Sequence, residues 1–342
     1  MTGRHALALA LAGGVGPVRH RELLARHGGA AAALDAAIPP DERERALAAA
    51  DRALLDAERA RATVVGADDA AYPPSLFDLD DPPPFLVARG DLEILRAPAV
   101  AIVGTRDATA YGERITRELA QALARAGVTV VSGLARGIDG AAHRAALAAG
   151  GRTAAVVGTG VDVSYPAAHE SLQRSIADDG LLLSEQLCGT RALPGAFPRR
   201  NRVIAALASV TIVVEAGVKS GALITARHAL DLGRTVAAVP GPIDAPQSAG
   251  ANELLRDGAQ VIASVADALA LAGRSPPAVP RAPLDLSPDE RAVWEALGAG
   301  AADVDTLAAR SALPARRCLA AVSSLELLGA LDCALTGEIR RR

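Results

Sequence analysis

AVAIVGTRDATAYGERITRELAQALARAGVTVVSGLARGIDGAAH, residues 99–143, decides the fold class. Two short apolar runs, AVAIV (99–103) and VTVVS (128–132), bracket GERITRELAQALARAG, a stretch of helical length. A run that is apolar throughout, rather than alternating, reads as a strand buried on both faces. Similar runs recur at TAAVV (153–157), LLLS (181–184), VTIVV (210–214), TVAAV (235–239) and QVIAS (260–264). Repeated βα units predict an α/β fold with a doubly wound, mostly parallel sheet.

In such a sheet the ligand lies outside the carboxyl ends of the strands. Those ends carry Gly104-Thr105-Arg106, Ser132-Gly133-Leu134-Ala135-Arg136-Gly137, Gly158-Thr159-Gly160, Ser184-Glu185, Glu215 through Gly221, and Pro240-Gly241. Glycine lets a backbone approach a ligand closely, and helix N-termini offer free N–H groups to anions. Several such loops on one edge predict an anion or phosphate track. Lys219, within EAGVKSG, is the only lysine in a chain with 36 Lys plus Arg residues. The reading favoured here is a slim point charge between Gly217 and Gly221, where a guanidinium would be crowded. The competing one is a lysine paired with Glu215.

Several chemistries fit poorly. A dinucleotide site needs G-x-G-x-x-G with an acid about 20 residues on; Gly104-Thr105-Arg106 lacks the second glycine, and GTG at 158–160 lacks the rest. A P-loop needs glycine directly before its lysine, whereas GVKSG interposes Val218. Asp139 and His143 are four residues apart, one turn of the same helix, which favours a helix-start acid beside an imidazole over a catalytic pair. No His/Cys/Asp cluster has metal-ligand spacing. GAFPRRNRVIAAL (195–207) sets Arg199, Arg200 and Arg202 around Asn201 near a helix start, where positive charge opposes the helix dipole. Either an anion neutralises that cluster or an arginine pairs with Glu185 or Glu215.

IVGTR (102–106), SGLARGIDGAAH (132–143), Tyr165-Pro166, FPRRNRVIA (197–205), EAGVKSGALITA (215–226), VPG (239–241) and Asn252 with Gly258-Ala259 occur in this order. With YPPSL and DPPPFL upstream, the set closely resembles the DprA/Smf family of DNA-processing proteins. The resemblance implies a Rossmann-like domain that binds single-stranded DNA, dimerises and loads RecA recombinase during natural transformation, with no catalytic residue and no cofactor. It implies DNA contacts from Gly104, Thr105, Arg106, Ser132, Gly133, Arg136, Arg200, Asn201, Arg202, Lys219, Ser220 and Gly221. Ala222 stands where a second serine is common in that family. The alternative is a nucleotide enzyme of the ribohydrolase type, but that group's PGG-x-GT-x-x-E motif is not matched by EAGVKSGALIT.

The remaining segments set the domain plan. Residues 1–65 are helical in pattern and contain GGVGPVRHRELLARHGG (13–29), which reads as a helix-hairpin-helix or SAM-like module. Residues 66–272 form the Rossmann-like domain, 273–286 a proline-rich linker, and 287–342 a winged-helix-like domain with Arg316 and Arg317 opening its second helix. Aromatics are 2% of the chain and net charge is −3, so a nucleic-acid contact must come from a local patch with little base stacking. Three scattered cysteines fit no disulfide framework, and glycines and Pro17 interrupt ALALALAGG, which argues against a secretory leader. A cytoplasmic setting is expected, with no membrane span.

Overall fold

A computed structural model of the chain describes residues 3–274, 286–298, 300–334 and 337–341. It divides into two compact units, Met1–Ser275 and Pro276–Arg342.

The first unit opens with α1 (Arg4–Leu11), α2 (Pro17–His27), α3 (Ala30–Ala37) and α4 (Pro40–Arg59). Then follow β1 (Thr63–Gly66), β2 (Phe85–Gly90), β3 (Ala99–Val103), α5 (Ala110–Arg125), β4 (Thr129–Ser132), α6 (Ile138–Ala148) and β5 (Thr153–Val157). The chain continues through α7 (Glu170–Asp179), β6 (Leu181–Ser184), α8 (Ala196–Leu207), β7 (Val210–Val213) and α9 (Gly221–Asp231). It ends with β8 (Thr235–Ala238), α10 (Ala249–Arg256), β9 (Gln260–Val261) and α11 (Val265–Leu271).

Among the described residues these strands form a nine-stranded sheet in the order β1-β2-β6-β5-β4-β3-β7-β8-β9. The run from β6 to β9 is parallel throughout. β1 and β2 close the other edge as antiparallel strands. All seven expected parallel strands are present. The two antiparallel ones were not expected, because FLVARG directly follows three prolines in the connector.

Winding proceeds outward from the middle in both directions, so β3 and β7, distant in sequence, are neighbours in register from Val100↔Val210 to Val103↔Val213. The connections after these two strands leave in opposite directions, which opens a crevice at their carboxyl ends.

Both faces of the sheet are covered. On one, Val100, Ile102, Val130 and Ile212 pack against Leu119 and Leu123 of α5 and Ala142 of α6. On the other, Ala101, Val131, Ala154 and Val213 meet Val203 and Ile204 of α8 and Ala226 of α9. α5 is placed by its sequence: Thr116, Leu119, Ala120, Leu123 and Ala124 are buried at helical spacing, and the Thr109 hydroxyl caps it by accepting from the Gly112 N–H. Leu7, Leu9 and Leu34 of the N-terminal helices share one apolar cluster with Val64, Val87 and Leu182 of the sheet. The boundary expected at 65/66 falls within β1.

The second unit holds α12 (Pro288–Leu297), α13 (Val304–Ser311), α14 (Ala315–Leu327), β10 (Leu331–Cys333) and β11 (Ile339–Arg341). β10 and β11 are antiparallel, and Ala302 bridges to Ile339. Trp294, Leu307, Cys318, Val322 and Leu325 fill its core. Three helices and a small hairpin are the winged-helix architecture that its sequence pattern predicts. Arg317 is taken up by Asp289 at 2.5 Å. The linker expected at 273–286 lies almost wholly outside the described residues.

Leu123 is fully buried between α5 and the sheet. Leu123→Ala is expected to cost about 2–5 kcal/mol. Urea unfolding would show a lower midpoint with an unchanged slope.

Candidate anion-binding site

The crevice at the β3/β7 switch is a cavity of about 610 Å³, lined among others by Gly104, Thr105, Arg106, Arg200, Asn201, Lys219, Ser220 and Gly221. A smaller recess of about 190 Å³ shares Arg106 and Arg200 and adds Gly133, Arg136, Tyr165 and Phe197. Ten of the twelve sequence-predicted site residues therefore surround connected openings on one edge of the sheet.

β7 delivers its loop to the first residue of α9. Ser220 caps that helix, its hydroxyl accepting from the Ala222 N–H at 3.3 Å. The N–H groups of Lys219 and Gly221 have no hydrogen-bond partner among the described residues. Free N–H groups at the start of an 11-residue helix, beside a lysine, make a site for an anion. Lys219 is exposed, and neither it nor Arg106 nor Arg136 makes an ion pair among the described residues. Arg106 also sits 5.8 Å from the centroid of the Phe197 ring, which itself packs against Tyr165 at 5.0 Å.

Both sequence-based accounts of Lys219 need correction. A Cβ at Gly221 would meet nothing within 4 Å, and one at Gly217 would meet only the Pro246 carbonyl at 3.3 Å, so the turn is open rather than crowded. Glu215 is not its partner. The Glu215 carboxylate accepts from the N–H and the hydroxyl of Thr109.

Beneath the cavity lies a buried polar layer. Arg200 is 6% exposed and donates to the carbonyls of Gly133 (2.6 Å) and Val156. Burial, with Arg106 nearby, lowers its pKa to about 10 against the pull of Asp139, so it stays charged at neutral pH. Asp139 accepts from the N–H groups of Gly133 (3.2 Å) and Ala135 (3.4 Å). Burial raises its pKa, and Arg200 opposes the rise. These two residues hold the 133–137 loop in shape, with Leu134 at φ +58° and Gly137 at φ +71°. The loop's own N–H groups at 133 and 135 are thus already occupied by a carboxylate.

His143 lies in the same layer. The Thr153 hydroxyl donates to Val130, so His143 Nδ1 is the donor to Thr153 Oγ1, at 2.7 Å. Its Nε2 is a buried acceptor without a partner among the described residues. Burial first, then the charges of Arg200, His169 and Arg144, press its pKa down from 6.5 to about 3. Asp139 and His143 therefore serve loop and core, not each other.

Two predicted contacts are misplaced. Ser132 is fully buried and donates to the Ile102 carbonyl at 2.7 Å. Arg202 is 5% exposed and bound to Glu185 (2.6 Å) and Asp81 (3.3 Å) on the other side of α8. Residues two apart on a helix point in different directions, so Arg200 and Arg202 cannot both face the cavity. The Glu185 pairing was one of the two explanations open for the arginine cluster. Sequence reasoning missed Thr109, Tyr165 and Pro246 as neighbours of the site. Only Tyr165-Pro166 carried a signal, as part of the family pattern.

Known proteins match along most of the chain. The family model described as DNA recombination-mediator protein A matches residues 63–273, and the model described as DprA winged helix domain matches 276–334. A putative DNA processing protein DprA from Mycobacterium tuberculosis is 48% identical over 244 residues, 69% of this chain and 62% of that relative's length. Protein Smf of Escherichia coli is 38% identical over 82% of this chain and 77% of its own. Among solved structures, DNA processing protein A from Streptococcus pneumoniae superposes with a TM-score of 0.70 at 34% identity, over 79% of this chain and 98% of that one. DNA processing protein A from Helicobacter pylori, described with a unique single-stranded DNA binding mode, gives 0.56 at 34% identity, over 60% and 92%.

Arg202→Ala orphans the Glu185 carboxylate, whose pKa burial already raises. A loss of about 3 kcal/mol in urea unfolding is expected, at the low end for a broken buried pair because Asp81 is 40% exposed. For His143 the unfolded chain takes up a proton near 6.5 and the folded chain only near 3. Its contribution is therefore present above pH 6.5 and is lost progressively as pH falls toward 3. Stability measured across that window should fall less steeply for His143→Gln than for wild type.

Proposed function

The chain belongs to the DNA recombination-mediator protein A (DprA/Smf) family, and from that premise we propose that it is a non-enzymatic, single-stranded DNA-binding recombination mediator. The observation that carries this reading is the convergence, on a cavity and a smaller recess that share Arg106, of three cations without an ion pair among the described residues, Arg106, Arg136 and Lys219, with the free N–H groups of Lys219 and Gly221. Phosphodiesters are the anions that such an extended, open site suits. The contacts are to backbone rather than base edges, so binding is without sequence preference. The Helicobacter pylori relative, with its single-stranded DNA binding mode, supports the choice of ligand. The nucleotide-hydrolase alternative is disfavoured because both buried carboxylates near the cavity are engaged, Glu215 with Thr109 and Asp139 with backbone N–H groups.

Two further parts of the proposal concern partners. The chain spans 62% of the Mycobacterium tuberculosis relative's length, and loading of RecA belongs to the proposal through the family alone. A homodimer is proposed through the β9 edge, where Val261 is 52% exposed and Leu254 and Leu255 of α10 are half-buried. Joining two crevices would raise the effective concentration of one for a strand held by the other. Light scattering at micromolar concentration checks this: a mass near twice 34.7 kDa is expected. A monomer that holds long oligonucleotides at full affinity would remove the dimer from the mechanism.

Labelled oligo-dT should bind without ATP and more tightly than a matched duplex. With about four phosphates neutralised, log Kobs against log salt should fall with a slope of roughly −3. Arg106→Ala and Lys219→Ala should each weaken binding and flatten that slope. Lys219→Arg, in this open turn, should bind like wild type. Equal affinity for duplex and single strand, or no binding at low salt, would overturn the reading.

A further inference from the structure

We infer that Glu215 is a positioning residue that fixes the distance between the two cationic walls of the crevice. The inference rests on the crevice being the phosphate track.

Glu215 is 2% exposed and lies just beyond β7. It grips the loop after β3 at three points. Its carbonyl oxygen accepts from the Thr105 N–H at 2.7 Å. Its Oε2 accepts from the Thr109 N–H at 3.0 Å, and its Oε1 from the Thr109 hydroxyl. These bonds span the segment that carries Arg106. On its other side the chain is pinned again, since the Ala216 carbonyl accepts from the N–H groups of Gly250 (2.7 Å) and Ala251 (3.3 Å). Three residues later comes Lys219. The Arg106 loop and the Lys219 loop are thus tied at Glu215, across the point where the sheet changes winding direction.

One glycine, Gly112, makes room for this tie, and a second, Gly104, is needed for Ile138 as well as for Glu215. A Cβ at Gly112 would collide with the Glu215 carboxylate, and a Cβ at Gly104 would lie 2.8 Å from the Glu215 carbonyl oxygen. Gly112 sits in the first turn of α5, where alanine would favour the helix more. The space the carboxylate needs explains the glycine.

Charge alone argues against this residue. A carboxylate close under a phosphate track repels the ligand, and no cation pairs with Glu215 among the described residues. Positioning and simple electrostatics therefore predict opposite signs when the charge is removed.

The test measures oligo-dT affinity at fixed salt for wild type, Glu215→Gln, Thr109→Val and Thr109→Ser, each with and without Arg106→Ala, with folding checked by thermal melting. Glu215→Gln and Thr109→Val are each expected to weaken binding about fivefold or more, the factor that one net hydrogen bond is worth. Thr109→Ser, which keeps the hydroxyl, should restore most of it. Arg106→Ala should cost less in either weakened background, because its guanidinium is no longer aimed. Wild type that binds while folded Glu215→Gln binds as tightly or more tightly overturns the inference alone. Should Glu215→Gln not fold, Thr109→Val binding like wild type overturns it. An equal cost of Arg106→Ala in every background also overturns it, since a general loss of structure leaves that coupling unchanged. Wild type that fails to bind overturns the crevice reading and the inference with it.

Discussion

The pairing of β3 with β7 is the constraint on which the site depends. Two parallel strands far apart in sequence are brought into register by buried apolar side chains, Val100, Ile102, Val210 and Ile212, with Thr211, opposite Ala101, the one buried polar side chain in the paired stretch. Because winding runs outward from this pair, their following loops must part, and the gap lies at the ends of both strands. Each loop then carries what the gap needs. The one after β3 brings Thr105 and Arg106. The one after β7 brings Lys219 and the free N–H groups of Lys219 and Gly221.

Below that gap the charges are arranged in two tiers. The upper tier, Arg106, Arg136 and Lys219, is exposed and unpaired among the described residues. The lower tier is two buried and compensated arginines, Arg200 with Asp139 and, on the other side of α8, Arg202 with the partly exposed Glu185 and Asp81. Burying a charge is tolerable only with partners, so the lower tier serves shape. Arg200 and Asp139 hold the 133–137 loop by its own carbonyl and N–H groups. The upper tier, free in solvent, is the part left for a ligand. A chain of net charge −3 can in this way present a local cationic edge without a basic surface overall.

Much of this was legible in the sequence, for identifiable reasons. The parallel strands announced themselves because strands buried on both faces are mostly apolar runs, although β9, which was read the same way, is exposed. The glycine-bearing loops pointed to the right sheet edge because strand direction alone places them there. β1 and β2 were hidden, since one edge of the sheet is antiparallel and its second strand emerges from a proline run. Arg202 was misjudged because a row of arginines does not say which side of a helix each takes, and its carboxylate partners come from other segments. Lys219 was given a crowded turn because glycines were read as enclosing it; Gly221 instead borders open space. The role of Glu215 had no sequence signal, since its partner Thr109 is 106 residues away.

The single lysine allows the most direct test of the central claim, that the β3/β7 crevice holds a DNA strand. Reductive ¹³C-methylation keeps the charge of Lys219 and gives one side-chain dimethylamine resonance for the entire chain, because no other lysine is present. The account predicts that oligo-dT moves that resonance saturably, that added salt returns it to its free position, and that the effect is lost in Arg106→Ala at the same oligonucleotide concentration. A resonance that stays at its free position while the oligonucleotide is demonstrably bound would contradict the account, since the strand would then lie elsewhere on the molecule.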